Sequence, residues 1–467
     1  MTASHNPGGI DQDFGIKYNC ENGGPAPDRL TNKITEHTKK IDKYLLAEVP
    51  HIDVSAVATH DLPEGRKVEV ICATKEHLDL LRTVFDFEKI KALIARKDFS
   101  MCYDAMNGVN GPYAKRLFVD EFGVSPDSLI NCVPKEDFGG KESPSHGHAD
   151  PNLTYAVELI ARMGLDKLGK KIHDNAPQFG AASDGDADRN MILGKSWFVS
   201  PSDSLAIIAA QAKCIPWFKD GLKSVSRSMP TSGAVDLVAK KLGINCFEVP
   251  TGWKYFGNLM DSGVEGTEFA GKESYTPLLC GEESFGTGSD HAREKDSLFA
   301  ILCWLQILAE RNMDTNKPLV TVEQICKEHW NEYGRNYYAR YDYEGVDKPA
   351  AETMMENMKN GCEGFKGQSF GNFVVKDMDM FQYSDPVDGA VAKNQGIRIF
   401  CEDGSRIVFR LSGTGVAGAT IRLYLEKYDD KDVEGYVFDR VKPLAEAALA
   451  LSKLSELTGR TEPSVIT

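Results

Sequence analysis

The chain has no CxxC pair, no run of 18 apolar residues, no low-complexity tract and fewer basic than acidic residues. Each absence closes a class of function. Eleven cysteines, an odd number, stand singly from Cys20 to Cys401, so neither a disulfide framework nor a zinc site is indicated, and the cytosol is the expected compartment. Without a long apolar run no stable membrane insertion is expected, and the opening MTASHNPGG has neither the charged nor the apolar region of a secretory leader. A formal charge of -15 opposes non-specific binding to nucleic acid or anionic lipid, so neither is expected as a partner. An anionic small substrate would then need a locally basic cleft. The phosphate-cradling GxxxxGK[ST] loop is absent as well.

What is present is an ordinary globular composition on a chain of 467 residues, too long for one hydrophobic core. Short apolar runs alternate with helical patterns from residue 86 onward. FSMCYDAMNGVNGPYAKRLF reads as strand, Gly-rich turn and helix; SLINCVP as a strand; NLTYAVELIARMG as a helix; FGAASDGDADR and NMILG as strands. The alternation resumes with SVSRSMPTSG, AVDLVAKKLG and INCFEVPTG, which implies α/β domains with parallel or mixed sheets. From about residue 330 antiparallel signals dominate, with a helix expected only near the end, so the last unit reads as a smaller α+β domain. Residues 138–151 and 261–280 read as loops or insertions.

Four stretches carry chemistry. In SDGDADRN, Asp184, Asp186 and Asp188 alternate after an apolar strand, a spacing that lets three carboxylates face one point, as Mg²⁺ favours. An EF-hand is excluded because Lys195 stands where its last Glu would be. A solvated acidic turn is the plain alternative, weakened by Arg189 directly after the acids and by the position at a strand end. In RLSGTGVAGATIR the glycines satisfy GxGxxG, but a strand follows where a dinucleotide site needs a helix. Arg410 and Arg422 flank Ser412, Gly413 and Thr414, a set suited to gripping a phosphate, against the alternative of a hairpin with solvated arginines. GEESFGTGSDHAREKD offers Glu282 and Ser284 to sugar hydroxyls, with His291, Arg293 and Lys295 as nearby positive charge, although charge runs are usually solvated. PTGWKYFGN is either a binding turn or a tight turn with Trp253 in the core. TASHNPGG presents Ser4 on a rigid turn, and its neighbour His5 is no evidence of a hydrolase triad, whose members meet in space rather than in sequence.

Taken in order, TASHNPGG, DGDADR, PTGWK, GEESFGTGSDH and RLSGTG resemble the α-D-phosphohexomutase superfamily, and the intervening sequence resembles its eukaryotic phosphoglucomutase branch, including the parafusin-type enzymes of protists. The resemblance implies a multi-domain architecture around a central cleft: three α/β domains, the first incomplete, and a smaller C-terminal α+β domain. The expected limits are 1–85 for the remainder of the first domain, 86–210, 211–325 and 326–467.

The implied reaction interconverts glucose 1-phosphate and glucose 6-phosphate through a phosphoserine at Ser4 and glucose 1,6-bisphosphate. Ser4 would complete the Mg²⁺ shell of Asp184, Asp186 and Asp188. Arg189, Thr251, Gly252, Trp253, Glu282, Ser284, Arg293 and Lys295 match sugar and bisphosphate contacts. Arg410, Ser412, Gly413, Thr414 and Arg422 match the loop that holds the non-reacting phosphate. Lys295, His5 and Lys17 are the candidates for proton transfer, and the sequence does not choose among them. Hexose phosphates are the expected partners, and a monomer is expected with a dimer as the alternative.

Two departures from the family pattern stand out. Ala187 replaces the usual glycine, at a cost of about 1 kcal/mol if the backbone there has positive φ. Ser4 stands near the start of the sequence, where the family has most of a domain before it, so poor turnover is expected of the chain as given. The competing readings are a phosphomannomutase or glucose 1,6-bisphosphate synthase, and a regulatory or scaffold relative that keeps the fold with little activity.

Overall fold

The computed structural model describes residues 4, 6, 8–12, 15–46, 48–267, 269–412 and 418–467. Three sheets organise it. The first runs in the order Leu129–Ile130, Met101–Asp104, Phe179–Ser183, Asn190–Gly194 and Trp197–Val199, the first three parallel and the last two antiparallel. Every residue of Met101–Asp104 and Phe179–Ser183 is buried, as expected of apolar strands covered on both faces. The acidic loop begins directly at the end of the second of these strands.

The second sheet has the order Thr287–Ser289, Leu278–Gly281, Ser224–Ser228 and Asn245–Val249. Between the two sheets lies the helix Ser297–Arg311, buried continuously from Ser297 to Ala309. A helix that is apolar on all sides belongs in the middle of a protein, and its Leu298, Phe299, Leu302 and Trp304 join residues of both sheets in one core. The helix Pro201–Ala210 is capped by Ser200, whose Oγ accepts from Asp203 N, and packs chiefly on the second sheet and the helix Ala234–Leu242.

The third sheet has seven antiparallel strands, ordered Ser369–Phe370, Phe373–Met380, Ile397–Cys401, Arg406–Ser412, Ala419–Asp429, Arg335–Val346 and Val465–Ile466. It has its own core. The expectation of a helix only near the end of this unit is corrected by the helix Lys348–Phe365, whose N-terminus is capped by Asp347, which accepts from Ala350 N at 3.2 Å. Its buried stripe is only Ala351, Met354 and Met358, too thin to stand out as an apolar period.

A small apolar cluster of Met229, Val249 and Trp253 with Val408 and Tyr424 attaches this unit to the second sheet. Charge reinforces the attachment: Glu248 accepts from Arg227 at 3.0 Å, from Arg406 at 3.3 Å and from Arg398. Among the described residues before Ala73, strands form only the hairpin Ala58–Asp61 with Lys67–Val70, and Ala26 is the one buried apolar side chain. That segment contributes loops to the site rather than core.

Candidate active site

Ser183, the last residue of its strand, is tied down from below. Its Oγ meets Tyr103 Oη and Ser297 Oγ, each at 2.9 Å, and Asn110 Nδ2 donates to all three oxygens at 2.9 to 3.2 Å. All four residues are buried, and such a satisfied network fixes the point from which the acidic loop departs. The loop then turns back on itself, with Asp188 N and Arg189 N donating to Asp184 Oδ1 at 2.8 and 3.0 Å. Ala187 takes φ 65°, the left-handed region, so the strain expected at this position is present. Its carbonyl accepts from Ser297 N at 3.2 Å.

This turn brings oxygens of Asp184, Asp186 and Asp188 within 4.8 Å of one another, the only such trio of metal-ligating groups among the described residues. Ser4 Oγ lies 2.8 Å from Asp186 Oδ1 and 3.5 Å from Asp184 Oδ2. Gly185 makes this approach possible: a Cβ there would collide with the Ser4 carbonyl oxygen and lie 2.5 Å from the Phe138 ring. Lys17 Nζ bridges Asp186 Oδ2 at 2.7 Å and Asp188 Oδ2 at 2.8 Å. Lys295 Nζ is 3.2 Å from Asp188 Oδ2 and 3.1 Å from Glu282 Oε1.

The electrostatics follow from burial and these lysines. Burial and the two neighbouring carboxylates push Asp184 well above the usual carboxylate range. Burial would raise Asp188 too, but Lys295 and Lys17 outweigh it and hold that carboxyl well below its usual range. Both lysines are in turn held in the charged form despite their burial. Asp188 Oδ1 is buried without a hydrogen-bond partner. An unpaired anionic oxygen inside a carboxylate trio fits a hard divalent cation.

The remaining expected residues fall around this centre in unequal ways. Glu282, on the turn after Leu278–Gly281, reaches Lys295 because Gly286 has no side chain: a Cβ there would lie 2.5 Å from Lys295 Cδ and 2.7 Å from Glu282 Oε1. Trp253 is buried against Phe256, yet its ring faces Lys295 Nζ at 5.9 Å, so it is both core and wall. Beside it, Thr251 Oγ1 is buried without a partner and Gly252 has φ 131°. Ser284 is half-buried on the same turn as Glu282. Arg189 Nη1 donates to Asp150 at 3.2 Å. Arg293 is turned away from the acidic trio, donating to Asp261 at 2.5 Å and to the Asp290 carbonyl at 2.9 Å.

In the last unit, Arg410 and Arg422 are direct cross-strand neighbours. Arg410 Nη1 donates to Tyr424 Oη at 3.4 Å, and its charge is favoured by Tyr424, Glu283 and Glu282 against the cost of burial. Arg422 Nε is 3.9 Å from Asp342 Oδ2. Ser412 ends the strand; His5, Gly413 and Thr414 lie outside the described residues.

Sequence reasoning missed several participants. Arg340 pairs with Asp342 at 3.1 Å and lies in the row beside the Arg410–Arg422 pair, opposite Tyr424, while Asp342 stands opposite Arg422. Glu283 accepts from Ser228 Oγ at 2.8 Å, linking the sugar-side turn to the loop on which Arg406 donates to Met229 O and Thr231 O. No local spacing signals either one.

Four family descriptions match in succession: "Phosphoglucomutase/phosphomannomutase, alpha/beta/alpha domain I" over residues 1–45, domain II over 75–197, domain III over 201–333, and "Phosphoglucomutase-1, C-terminal domain" over 335–464. The chain belongs to the phosphoglucomutase/phosphomannomutase family. Among relatives within it, the cytoplasmic phosphoglucomutase of Pisum sativum is 54% identical over 100% of this chain and 79% of its own length. That of Bromus inermis is 55% identical, with 100% and 80% covered. The crystal structure of the exocytosis-sensitive phosphoprotein parafusin from Paramecium, a phosphoglucomutase in an open form, superimposes with a TM-score of 0.87 at 47% identity, covering 100% of this chain and 79% of that one. The phosphoglucomutase resemblance and the multi-domain fold read from the sequence are thereby upheld.

Proposed function

We propose that this chain is a cytoplasmic phosphoglucomutase interconverting glucose 1-phosphate and glucose 6-phosphate, with Ser4 carrying the phosphoryl group. The observation that carries the reading is Ser4 Oγ, 2.8 Å from Asp186 within a carboxylate trio flanked by Lys17 and Lys295. Relatives named cytoplasmic phosphoglucomutases, more than half identical along the whole chain, support both the reaction and the compartment.

In the forward direction the Ser4 Oγ–P bond breaks as a bond from phosphorus to O6 of glucose 1-phosphate forms, and the O6 proton passes to a base. Glucose 1,6-bisphosphate results. It turns over in the cleft and returns its O1 phosphoryl group to Ser4, leaving glucose 6-phosphate. Lys295, within reach of both Asp188 and Glu282, is the favoured proton carrier: held charged, it gives its proton to the oxygen leaving phosphorus and then takes one from the attacking hydroxyl, with Lys17 and His5 the other candidates. Glu282 and Ser284 bind sugar hydroxyls beside the Trp253 wall. Arg410, Ser412 and Arg422 grip the phosphate that is not reacting.

Asp184, Asp186 and Asp188 would hold Mg²⁺, which when bound neutralises charge on the phosphoryl group in transfer. Asp188 Oδ1 without a partner supports this assignment.

The test is a steady-state assay of glucose 6-phosphate formation from glucose 1-phosphate with Mg²⁺ and catalytic glucose 1,6-bisphosphate, with mannose 1-phosphate as the comparison. Faster turnover of the glucose substrate and label from the bisphosphate on Ser4 are expected. Equal rates would favour a broader mutase, and no label on Ser4 would overturn the assignment of the nucleophile.

A further inference from the structure

Asp296 stands between two residues of the site, directly after Lys295 and directly before Ser297, and its side chain is only 11% exposed. Its Oδ1 accepts from Phe299 N at 3.0 Å, capping the central helix. Its Oδ2 lies 3.3 Å from His291 Nε2 and 2.7 Å from His77 Nε2. His291 is stacked on Phe299 at 4.3 Å, and its Nδ1 is 2.7 Å from Ser289 Oγ. With its proton on Nε2, that ring donates to Asp296 while accepting from the Ser289 hydroxyl. A buried carboxylate still needs a compensating charge. His77 can supply it, reaching in from the helix Ala73–Val84, outside every motif in the sequence.

The turn that Asp296 anchors bears on the site from both ends. Asp296 N donates to Thr287 O at 3.2 Å and Ser297 N donates to the carbonyl of Ala187, in the acidic loop, at 3.2 Å. Ser297 Oγ belongs to the buried network under Ser183. Lys295, one residue before, spans Asp188 and Glu282. A shift of Asp296 therefore moves the lysine and the acidic loop together.

We propose that His77 is a positioning residue which, by pairing with Asp296, fixes the turn Lys295–Ser297 and so the placement of Lys295 Nζ, a role that rests on the mutase reading. The groups facing His77 are Asp296 from that turn, whose Oδ2 also meets His291, and the edge of Tyr113 at 5.7 Å from the helix Gly111–Ala114. Asp296 is the sole carboxylate among them. Burial alone would depress the His77 pKa, but Asp296 more than offsets it and raises it above the ordinary imidazole value. The pairing is therefore complete below the unfolded value near 6.5 and is lost as pH rises through the higher folded value.

Three measurements on the full chain decide the matter. A side-chain NMR titration of His77 should give a pKa above that of free imidazole, falling to the ordinary range in Asp296→Asn; an unchanged value would overturn the pairing. In His77→Ala, kcat should fall about tenfold with KM within about twofold, as expected when a reacting group is misplaced, and His77→Gln, which keeps a donor, should recover most of it. An unchanged kcat, or one that Gln does not rescue, would refute the positioning role. The rate at which Lys295 is modified by an amine-acylating reagent, read by peptide mass spectrometry, needs no turnover and should rise in His77→Ala. If the wild type proves inactive, the mutase reading fails alone and this rate still decides: an unchanged rate in folded His77→Ala and His77→Gln overturns the proposal.

Discussion

Lys295 Nζ lies 3.2 Å from Asp188 Oδ2, although the two side chains come from loops that follow strands of different sheets. The contact makes the acidic loop and the sugar-side turn one electrostatic unit. Lys295 shares its charge with Glu282 at 3.1 Å, while Lys17 approaches Asp188 from the other side at 2.8 Å. Two cations against three closely spaced carboxylates leave a net demand for positive charge, and Asp188 Oδ1 is the oxygen that no protein donor satisfies.

Asp186→Asn should therefore depress phosphoryl transfer at least about a hundredfold, the scale expected when charge stabilisation of a transferring group is removed. Folding should change little, within about 1 kcal/mol, because Lys17 keeps Asp188 and repulsion inside the trio is relieved. Phosphoserine formation and urea unfolding of the same variant separate the two effects. Full activity would remove Asp186 from the metal site.

Arg422→Ala should raise the KM for both glucose 1-phosphate and glucose 6-phosphate at least about tenfold, since a lost charge-assisted contact to phosphate costs roughly 1.5 to 3 kcal/mol. Either substrate must present its idle phosphate to the same loop. Arg340→Ala should weaken both in the same sense, because Arg340 pairs with Asp342, which faces Arg422. A KM altered for only one of the substrates would assign this row another task.

The acidic trio, the serine and the cross-strand pair Arg410 and Arg422 were legible because each motif is a compact run whose residue types state its chemistry. The groups that support them were not. Tyr103, Asn110, Ser183 and Ser297 meet in one buried network from four separated positions, and nothing local marks a Ser or Asn as part of it. His77 and Arg340 fail for the same reason, being single residues on ordinary elements. Arg293 shows the converse: it lies in the right run, but Asp261 draws its guanidinium elsewhere. The helix Lys348–Phe365 is hard to read in the sequence because methionine and alanine make its buried stripe, a weak signal beside the β-rich sequence after it.

Ala187→Gly sets two opposing terms against each other. Relief of the left-handed strain at φ 65° is worth about 1 to 2 kcal/mol, while the added freedom of glycine in the unfolded chain costs about 0.4 to 1 kcal/mol. A net stabilisation of about 0.5 kcal/mol is expected, seen as a higher urea midpoint with an unchanged slope. The three carboxylates are untouched, so Mg²⁺ affinity by calorimetry should not fall. A lower midpoint would mean that the alanine methyl makes contacts worth more than the strain.

Two buried groups with no part in the reaction titrate in opposite senses. His329, on the helix Val322–Tyr333 and stacked on Tyr333 at 4.7 Å, is pushed down to about 4 by burial. Between pH 4 and 6.5 the unfolded chain binds its proton more readily than the native one, so this group's contribution falls as pH falls. Asp104 is pushed up to about 6 by burial, against donation from Met106 N at 2.8 Å and Asn131 at 3.1 Å. Between pH 4 and 6 the native state holds that proton more tightly, so its contribution falls as pH rises. Each shift is worth roughly 3 kcal/mol at about 1.4 kcal/mol per unit, and in the wild type they largely cancel. Removing one should expose the other. Relative to wild type, His329→Gln should lose stability as pH rises from 4 to 6, and Asp104→Asn should gain it over the same interval. Chemical unfolding at closely spaced pH values reads both slopes, and two variants with slopes of the same sign would show that one of these groups does not titrate as its burial requires.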